Sequence, residues 1–130
     1  MSSVSKNQMG PVKDVDPKIA EIVSTREIKH AAIHALHEKH RENKMHKFVE
    51  DNFQEHVQAW KPLKYAEEVV AYGVNYFVKV QIAPTLCVHI RVHRQKHHDV
   101  WDFYSLHETI KHNQATCIWT IDEPLVYFNA

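Results

Sequence analysis

Two long β-rich runs lie in the second half of the chain, and apolar and polar residues alternate in the second of them. Residues 65–82 and 86–94 are rich in β-branched and aromatic side chains, and a turn-forming Ala-Pro-Thr at 83–85 separates them. This pattern predicts two long strands joined as a hairpin. Gly73 lies inside the first run, where a glycine marks a bulge or the close approach of another backbone.

The second run predicts which side chains face the core. Its residues form two alternating sets, Leu86, Val88, Ile90 and Val92 on one face and Cys87, His89, Arg91 and His93 on the other. We expect the first set to pack in the core and the second to meet solvent, because successive strand residues point to opposite faces. Residues 100–106 and 117–128 then complete an antiparallel sheet of four or five strands.

A helix precedes the sheet. Asp16 supplies an N-cap and Pro17 a first-turn proline, which together predict that a helix begins there. Ser24 and Glu27 have the spacing of a capping box, so the helix is expected to restart at that point. Beyond it, the apolar positions recur at three- and four-residue spacing. Their stripe is Ile28, Ala31, Ala32, Ala35 and Leu36, which leaves His30, His34 and His37 on the opposite, solvated face.

The remaining segments complete an α+β fold class. Residues 38–60 predict either a lengthened helix or a second helix that ends before Pro62. Residues 1–15 are small, polar and turn-prone, so we expect a flexible N-terminal arm, with a single domain over 16–130. The expected architecture is an antiparallel sheet wrapped across a long helix, with extra helical residues between that helix and the first long strand.

Composition narrows the class of partner and the compartment. The 16 basic and 16 acidic residues balance, so neither nucleic acid nor an anionic membrane is an expected partner. No apolar run approaches the ~20 residues that span a bilayer, and residues 1–10 lack a signal-peptide pattern. We therefore expect a cytoplasmic location with Cys87 and Cys117 as free thiols, or one disulfide if the chain is extracellular.

Four ordered segments resemble the stefins, or type 1 cystatins, of the cystatin superfamily. Residues 73–80 read Gly-Val-Asn-Tyr-Phe-Val-Lys-Val, and residues 88–92 read Val-His-Ile-Arg-Val. Residues 17–23 are similar to the opening of the stefin helix, and 122–128 to the end of stefin chains. The resemblance implies a cystatin-like fold and reversible inhibition of papain-like cysteine proteases of the cathepsin type by active-site occlusion. It also implies that two chains can exchange the helix and first strands as a domain-swapped homodimer.

The resemblance implies three protease-contact elements. They are an N-terminal arm, a first hairpin loop and a second hairpin loop, carried here by Met9 and Gly10, by Val69, Val70, Ala71, Tyr72 and Gly73, and by Lys96 and His97. The first loop departs from the family pattern Gln-x-Val-x-Gly. Either Val69 replaces the glutamine, or Glu68 stands in its place and Tyr72 is an added residue before the glycine. In the second loop Lys96 and His97 replace Leu-Pro.

Other functions remain open at this point. A chain with this fold could bind a protein other than a protease through the same loops. A third hypothesis is a histidine-based metal or pH responder, since 12 histidines become cationic on acidification. An enzyme is not expected, because Cys87 and His89 lack an oxyanion hole and a third orienting group, and no cofactor is implied.

Overall fold

The computed structural model describes residues 9–43, 53–96, 100–111 and 114–128. Three helices lie among eight strands in this part of the chain. In order they are β1 (Lys13–Asp14), α1 (Pro17–Val23), α2 (Arg26–Asn43), α3 (Phe53–Ala59), β2 (Lys61–Val70), β3 (Gly73–Ala83), β4 (Leu86–Gln95), β5 (Trp101–Leu106), β6 (Thr109–Lys111), β7 (Gln114–Thr116) and β8 (Trp119–Thr120). The fold is α+β, as the sequence predicts.

The main sheet is antiparallel and follows the chain in strand order. Its order is β1-β2-β3-β4-β5, with β8 paired to β4, and β6 and β7 form a separate two-stranded sheet. This is six strands in the main sheet, more than the predicted four or five. The predicted single strand over 65–82 is wrong, because a turn at Ala71 and Tyr72 folds it into the hairpin of β2 and β3.

The helices begin where the sequence predicts. The Asp16 carboxylate accepts a hydrogen bond from the backbone N–H of Ile19 at 2.8 Å, and Pro17 occupies the first turn. The helix is interrupted at Ser24 and Thr25 and restarts at Arg26. Between residues 38 and 60, α2 continues to residue 43 and α3 is an additional helix. The segment therefore contains both of the expected features, a lengthened helix and a second helix.

The main core lies between the helices and one face of the sheet, which we call the inner face. From the helices it contains Ile19, Val23, Ile28, Ala32, Ile33 and Leu36, and from the sheet Tyr76, Val78, Val80, Val88, Ile90 and Val92. The predicted inward direction of the apolar set in β4 is therefore confirmed. No helix in the described residues is long and apolar enough to cross a membrane.

The outer face of the sheet is covered too, and this contradicts the expectation that Cys87 and His89 meet solvent. Both side chains are fully buried. The covering element is the C-terminal segment, residues 119–128, which forms a strand only at Trp119–Thr120 rather than over the predicted 117–128. Its Leu125 and Phe128 form a second apolar cluster with Phe77 of β3.

Candidate functional site

The β2–β3 hairpin ends in an exposed apolar tip. Val69 is 66% exposed and Tyr72 is 82% exposed, whereas Val70 is only partly covered and pairs with Gly73. Ala71 and Tyr72 form the turn, and pairing is regular from Lys64 to the tip.

Gly73 sets the backbone path at this tip. Its φ is 147°, a value that side-chain-bearing residues rarely adopt. A Cβ on Gly73 would overlap the backbone oxygen of Arg94 and lie 3.0 Å from the nitrogen of Lys96. The glycine is thus required by the close approach of β4, independently of any binding partner.

The described part of the predicted arm lies along the edge of β2. The backbone N–H of Gly10 donates to the oxygen of Glu67 at 2.7 Å, and Met9 forms a bridge with Glu68. Further along, Lys13 and Asp14 pair with β2 as β1. The side chain of Met9 packs on the second apolar cluster.

The third predicted element meets the tip directly. The backbone N–H of Lys96 donates to the oxygen of Tyr72 at 2.9 Å, and the Lys96 side chain is exposed. His97 lies outside the described residues. Met9, Gly10, residues 69–73 and Lys96 therefore share one end of the sheet, and we call this group the tip edge.

Glu68 does not contribute an exposed polar group to the tip edge. It is 2% exposed, and one of its carboxylate oxygens accepts a hydrogen bond from the Asn75 amide at 3.0 Å. The Asn75 oxygen in turn lies 2.9 Å from Nδ1 of His93. In the next strand pair, His93 lies opposite Asp102 of β5. We call the four residues the polar ladder.

A groove of about 490 Å³ lies over the polar ladder on the outer face. Three tyrosines, Tyr72, Tyr104 and Tyr127, line it together with Arg91. Sequence reasoning missed this groove. The turn at Ala71 and Tyr72 places Glu68 opposite Asn75, a pairing that strand propensity along the run does not predict.

The histidines of α2 do not share one exposed face. His34 is exposed beside Glu38, with 3.9 Å between Nδ1 and Oε1. His37, predicted to face solvent, is only 3% exposed because α3 packs against this side of α2, and its Nε2 lies 3.3 Å from Nδ1 of His56. Burial lowers the pKa of His56. Within the described ranges no three metal-ligating side chains cluster.

Both cysteines are buried, and they are not disulfide-bonded to each other. Burial raises the pKa of the Cys87 thiol, and it raises that of Cys117 to about 12. Nucleophilic chemistry needs the thiolate, which these environments disfavour. Cys87 and His89 are both fully buried on β4, so neither side chain is accessible in this structure.

Comparison of the chain with protein-family models, with curated proteins and with solved structures finds no match. Its function has to be inferred from the tip edge, the neighbouring groove and the buried polar groups.

Proposed function

We propose that the chain is a stefin-like, reversible inhibitor of papain-like cysteine proteases that occludes the active-site cleft with the tip edge. One observation supports this most directly. The arm, the first loop and the second loop, which the sequence resemblance assigns to protease contact, are adjacent at one end of the sheet through the Gly10–Glu67 and Lys96–Tyr72 hydrogen bonds.

The side chains at the tip suit insertion into a cleft. Val69 and Tyr72 together expose a large apolar area at a narrow hairpin end, and burying such an area against a partner is favourable. Tyr in particular gives a large contact at a low cost in side-chain entropy. The tip is held by strand pairing on both sides, so little ordering is needed on binding.

Occlusion needs no reactive group on the inhibitor. A regular hairpin presents its backbone within a hydrogen-bonded ladder, and a paired backbone is a poor substrate for a protease that binds extended chains. Binding would then be reversible and limited by apolar and backbone contacts. The charged Lys96 replaces an apolar contact of the family, so Tyr72 and Val69 are expected to carry most of the affinity.

The test is titration of papain and of a cathepsin L-type protease with the protein near neutral pH. Tyr72→Ala should raise the inhibition constant at least about tenfold, as expected for an anchoring aromatic residue. Val69→Glu should do the same. The matched control is Ile110→Glu, because Ile110 of β6 is 67% exposed, like Val69 at 66%, but belongs to the separate sheet.

Two results would refute this proposal. One is the absence of inhibition by a sample that circular dichroism shows to be folded. The other is inhibition that Tyr72→Ala and Val69→Glu leave unchanged, or that Ile110→Glu weakens equally. Gly73 is a poor choice for this experiment, because substitutions there disturb the hairpin itself.

The groove favours a second candidate, a cystatin-fold module that binds another protein. Tyr72 belongs both to the tip and to the groove, and the polar ladder offers hydrogen-bonding groups beside it. A folded chain that inhibits neither protease would favour this candidate. Inhibition that depends on Val69 but not on groove residues such as Tyr104 would argue against it.

A further inference from the structure

Four aromatic rings form a series of contacts in which rings of the C-terminal segment alternate with two histidines outside it. His89 of β4 lies on Trp119 with ring centroids 4.5 Å apart and planes 14° apart. Trp119 contacts His107 at 4.6 Å, and His107 stacks on Phe128 at 4.5 Å with planes 10° apart. Two imidazoles, His89 and His107, therefore lie among the contacts that hold the segment, beside the pairing of β8 with β4 and the packing of Leu125 and Phe128 on Phe77.

His89 sits in surroundings that oppose a positive charge. It is 0% exposed, and neither of its ring nitrogens has a hydrogen-bond partner in the described part of the chain. Burial is the largest cause that lowers the pKa of His89, to about 3. The charged Lys79 of β3 acts in the same direction.

Apart from Glu123, the other titratable groups around the stack also disfavour a positive charge on the two histidines. Lys111 of β6 lowers the pKa of both histidines, and His107 lowers that of His89, whereas Glu123 raises that of His89. Glu123 is already engaged by Lys111 in an ion pair. Burial is again the main cause that lowers the pKa of His107, whose Nδ1 has no hydrogen-bond partner among the described residues.

Beyond Thr120 the segment forms no described strand and is fastened by side chains of the sheet. The Lys79 ammonium donates to the backbone oxygens of Ile121 and Glu123, and the Arg91 guanidinium donates to that of Phe128 at 3.2 Å. These contacts are few compared with a strand ladder. Such a segment can open locally without unfolding the sheet.

The end of the stack supports the tip edge. Phe128 meets Phe77 edge to face, with 5.4 Å between centroids. Met9 packs against the cluster that Phe77, Leu125 and Phe128 form. Contacts that begin at His89 therefore continue through the aromatic rings and the second apolar cluster to Met9, the residue before Gly10.

We propose that the C-terminal segment is an acid-released clamp on the N-terminal arm, and that protonation of His89 and His107 frees the segment and, with it, Met9 and Gly10. Release begins as the pH falls below about 6.5, where an accessible imidazole gains its proton. This inference rests on the proposed inhibitory function only where it concerns protease binding. Opening of the segment and arm can be measured without a protease.

The direction of the pH effect follows from the linkage between proton binding and opening of the segment. A histidine held neutral in the closed state and accessible in the open state favours the open state at every pH below its ordinary value. At pH 4.5, two units below that value, His89 alone should raise the opening constant about a hundredfold relative to pH 7.5. His107 adds to this in the same direction.

The first experiment is hydrogen exchange of the intact chain, followed by NMR at pH 7.5 and 4.5 and corrected for intrinsic exchange. The hydrogen-bonded amides of Thr120 and Glu123 should lose about a hundredfold in protection, and the Gly10 amide should follow them. His89→Phe keeps a ring on Trp119 but cannot titrate, so it should remove most of this loss. His34→Phe, at an exposed position of α2, should leave it unchanged.

The same variants test the consequence for inhibition. Affinity should fall by the factor of one plus the opening constant, so the inhibition constant for papain should rise more between pH 7.5 and 4.5 for the natural chain than for His89→Phe. Comparing the two proteins cancels the pH dependence of papain itself. If His89→Phe does not fold, His107→Phe replaces it in both experiments.

Each outcome has one meaning. Protection that does not change with pH, or that falls equally in the phenylalanine variant, overturns the clamp. Release of residues 119–128 with an unchanged Gly10 amide overturns its link to the arm. A folded chain that inhibits at neither pH refutes the inhibitory function, and the exchange result still decides whether the clamp exists.

Discussion

Gly73 and Arg94 approach so closely across β3 and β4 that any side chain on Gly73 would overlap the backbone oxygen of Arg94. The hairpin tip is therefore shaped by its neighbouring strand as well as by its own turn. Gly10, the other glycine of the chain, is different. A Cβ there would meet the Glu67 oxygen at an ordinary 3.6 Å.

Replacing Gly73 by alanine should lower the free energy of unfolding by about 3 kcal/mol or more. The added Cβ meets a backbone atom, and the positive φ adds strain of its own. Urea unfolding followed by circular dichroism measures the change. Gly10→Ala is the control and should change stability by less than about 0.5 kcal/mol; similar losses in the two variants would contradict the geometry.

Removing Asn75 should expose the cost of the buried Glu68 carboxylate. Asn75 is 5% exposed and links Glu68 to His93, so Asn75→Ala leaves two groups without this partner and should cost about 1–3 kcal/mol. Denaturant midpoints test this. Gln95→Ala, on the exposed end of β4, should cost little, and an Asn75→Ala variant as stable as Gln95→Ala would show that the ladder contributes nothing.

Lys79 should fasten the C-terminal segment through its charge. It is 5% exposed and donates to two backbone oxygens of the segment. Lys79→Met keeps the apolar stem and should cost about 1.5–3 kcal/mol, the range for hydrogen bonds to charged groups, with faster cleavage of residues 119–128 by a nonspecific protease. Lys61→Met, at an exposed start of β2, is the control and should change neither stability nor cleavage.

Acidification should weaken the contact between α2 and α3. When both rings are neutral, one of His37 and His56 can donate a hydrogen bond to the other. Burial also lowers the pKa of His56. The stability gained by keeping His56 neutral is complete above about pH 6.5, the ordinary pKa of histidine, and is lost as the pH falls below that pKa. His56→Leu should therefore flatten the fall in denaturant midpoint between pH 7.5 and 5, and an unchanged slope would contradict this; His34→Gln should keep the slope of the natural chain.

Neither thiol should react readily in the folded protein. Cys87 and Cys117 are buried with raised pKa values, which disfavours the thiolate. A thiol-specific colour reagent at pH 8 should detect two cysteines in urea and almost none within minutes in buffer. Rapid reaction of either cysteine in buffer would indicate that its surroundings open far more often than the packing suggests.

Local signals predicted the helix starts and the direction of the apolar residues in β4. Asp16 and Pro17 act within a single turn, and alternation in a strand depends only on neighbouring residues. These predictions needed no knowledge of what covers the sheet. The structure confirms both.

The errors concern what distant segments cover. His37 is buried by α3, and Cys87 and His89 are buried by the C-terminal segment. Polar periodicity assigned these residues to solvent because it contains no information about which distant segment packs on them. Strand propensity did not predict the turn at Ala71 and Tyr72, because the residues on both sides are good strand formers and its glycine lies just beyond the turn. The hairpin loop at 69–73 came from the family resemblance instead. The adjacency of arm and loops at the tip edge depends on the same long-range pairing.

Five residues at the tip separate two roles that often conflict in a binding loop. Gly73 fixes the course of the backbone, whereas Ala71 and Tyr72 form the turn with their backbone, including the Tyr72 oxygen that accepts from Lys96, and leave their side chains exposed. These two positions can therefore be randomised in a library while the hairpin beneath them stays the same. A change of target could then be selected at two side chains without redesigning the scaffold.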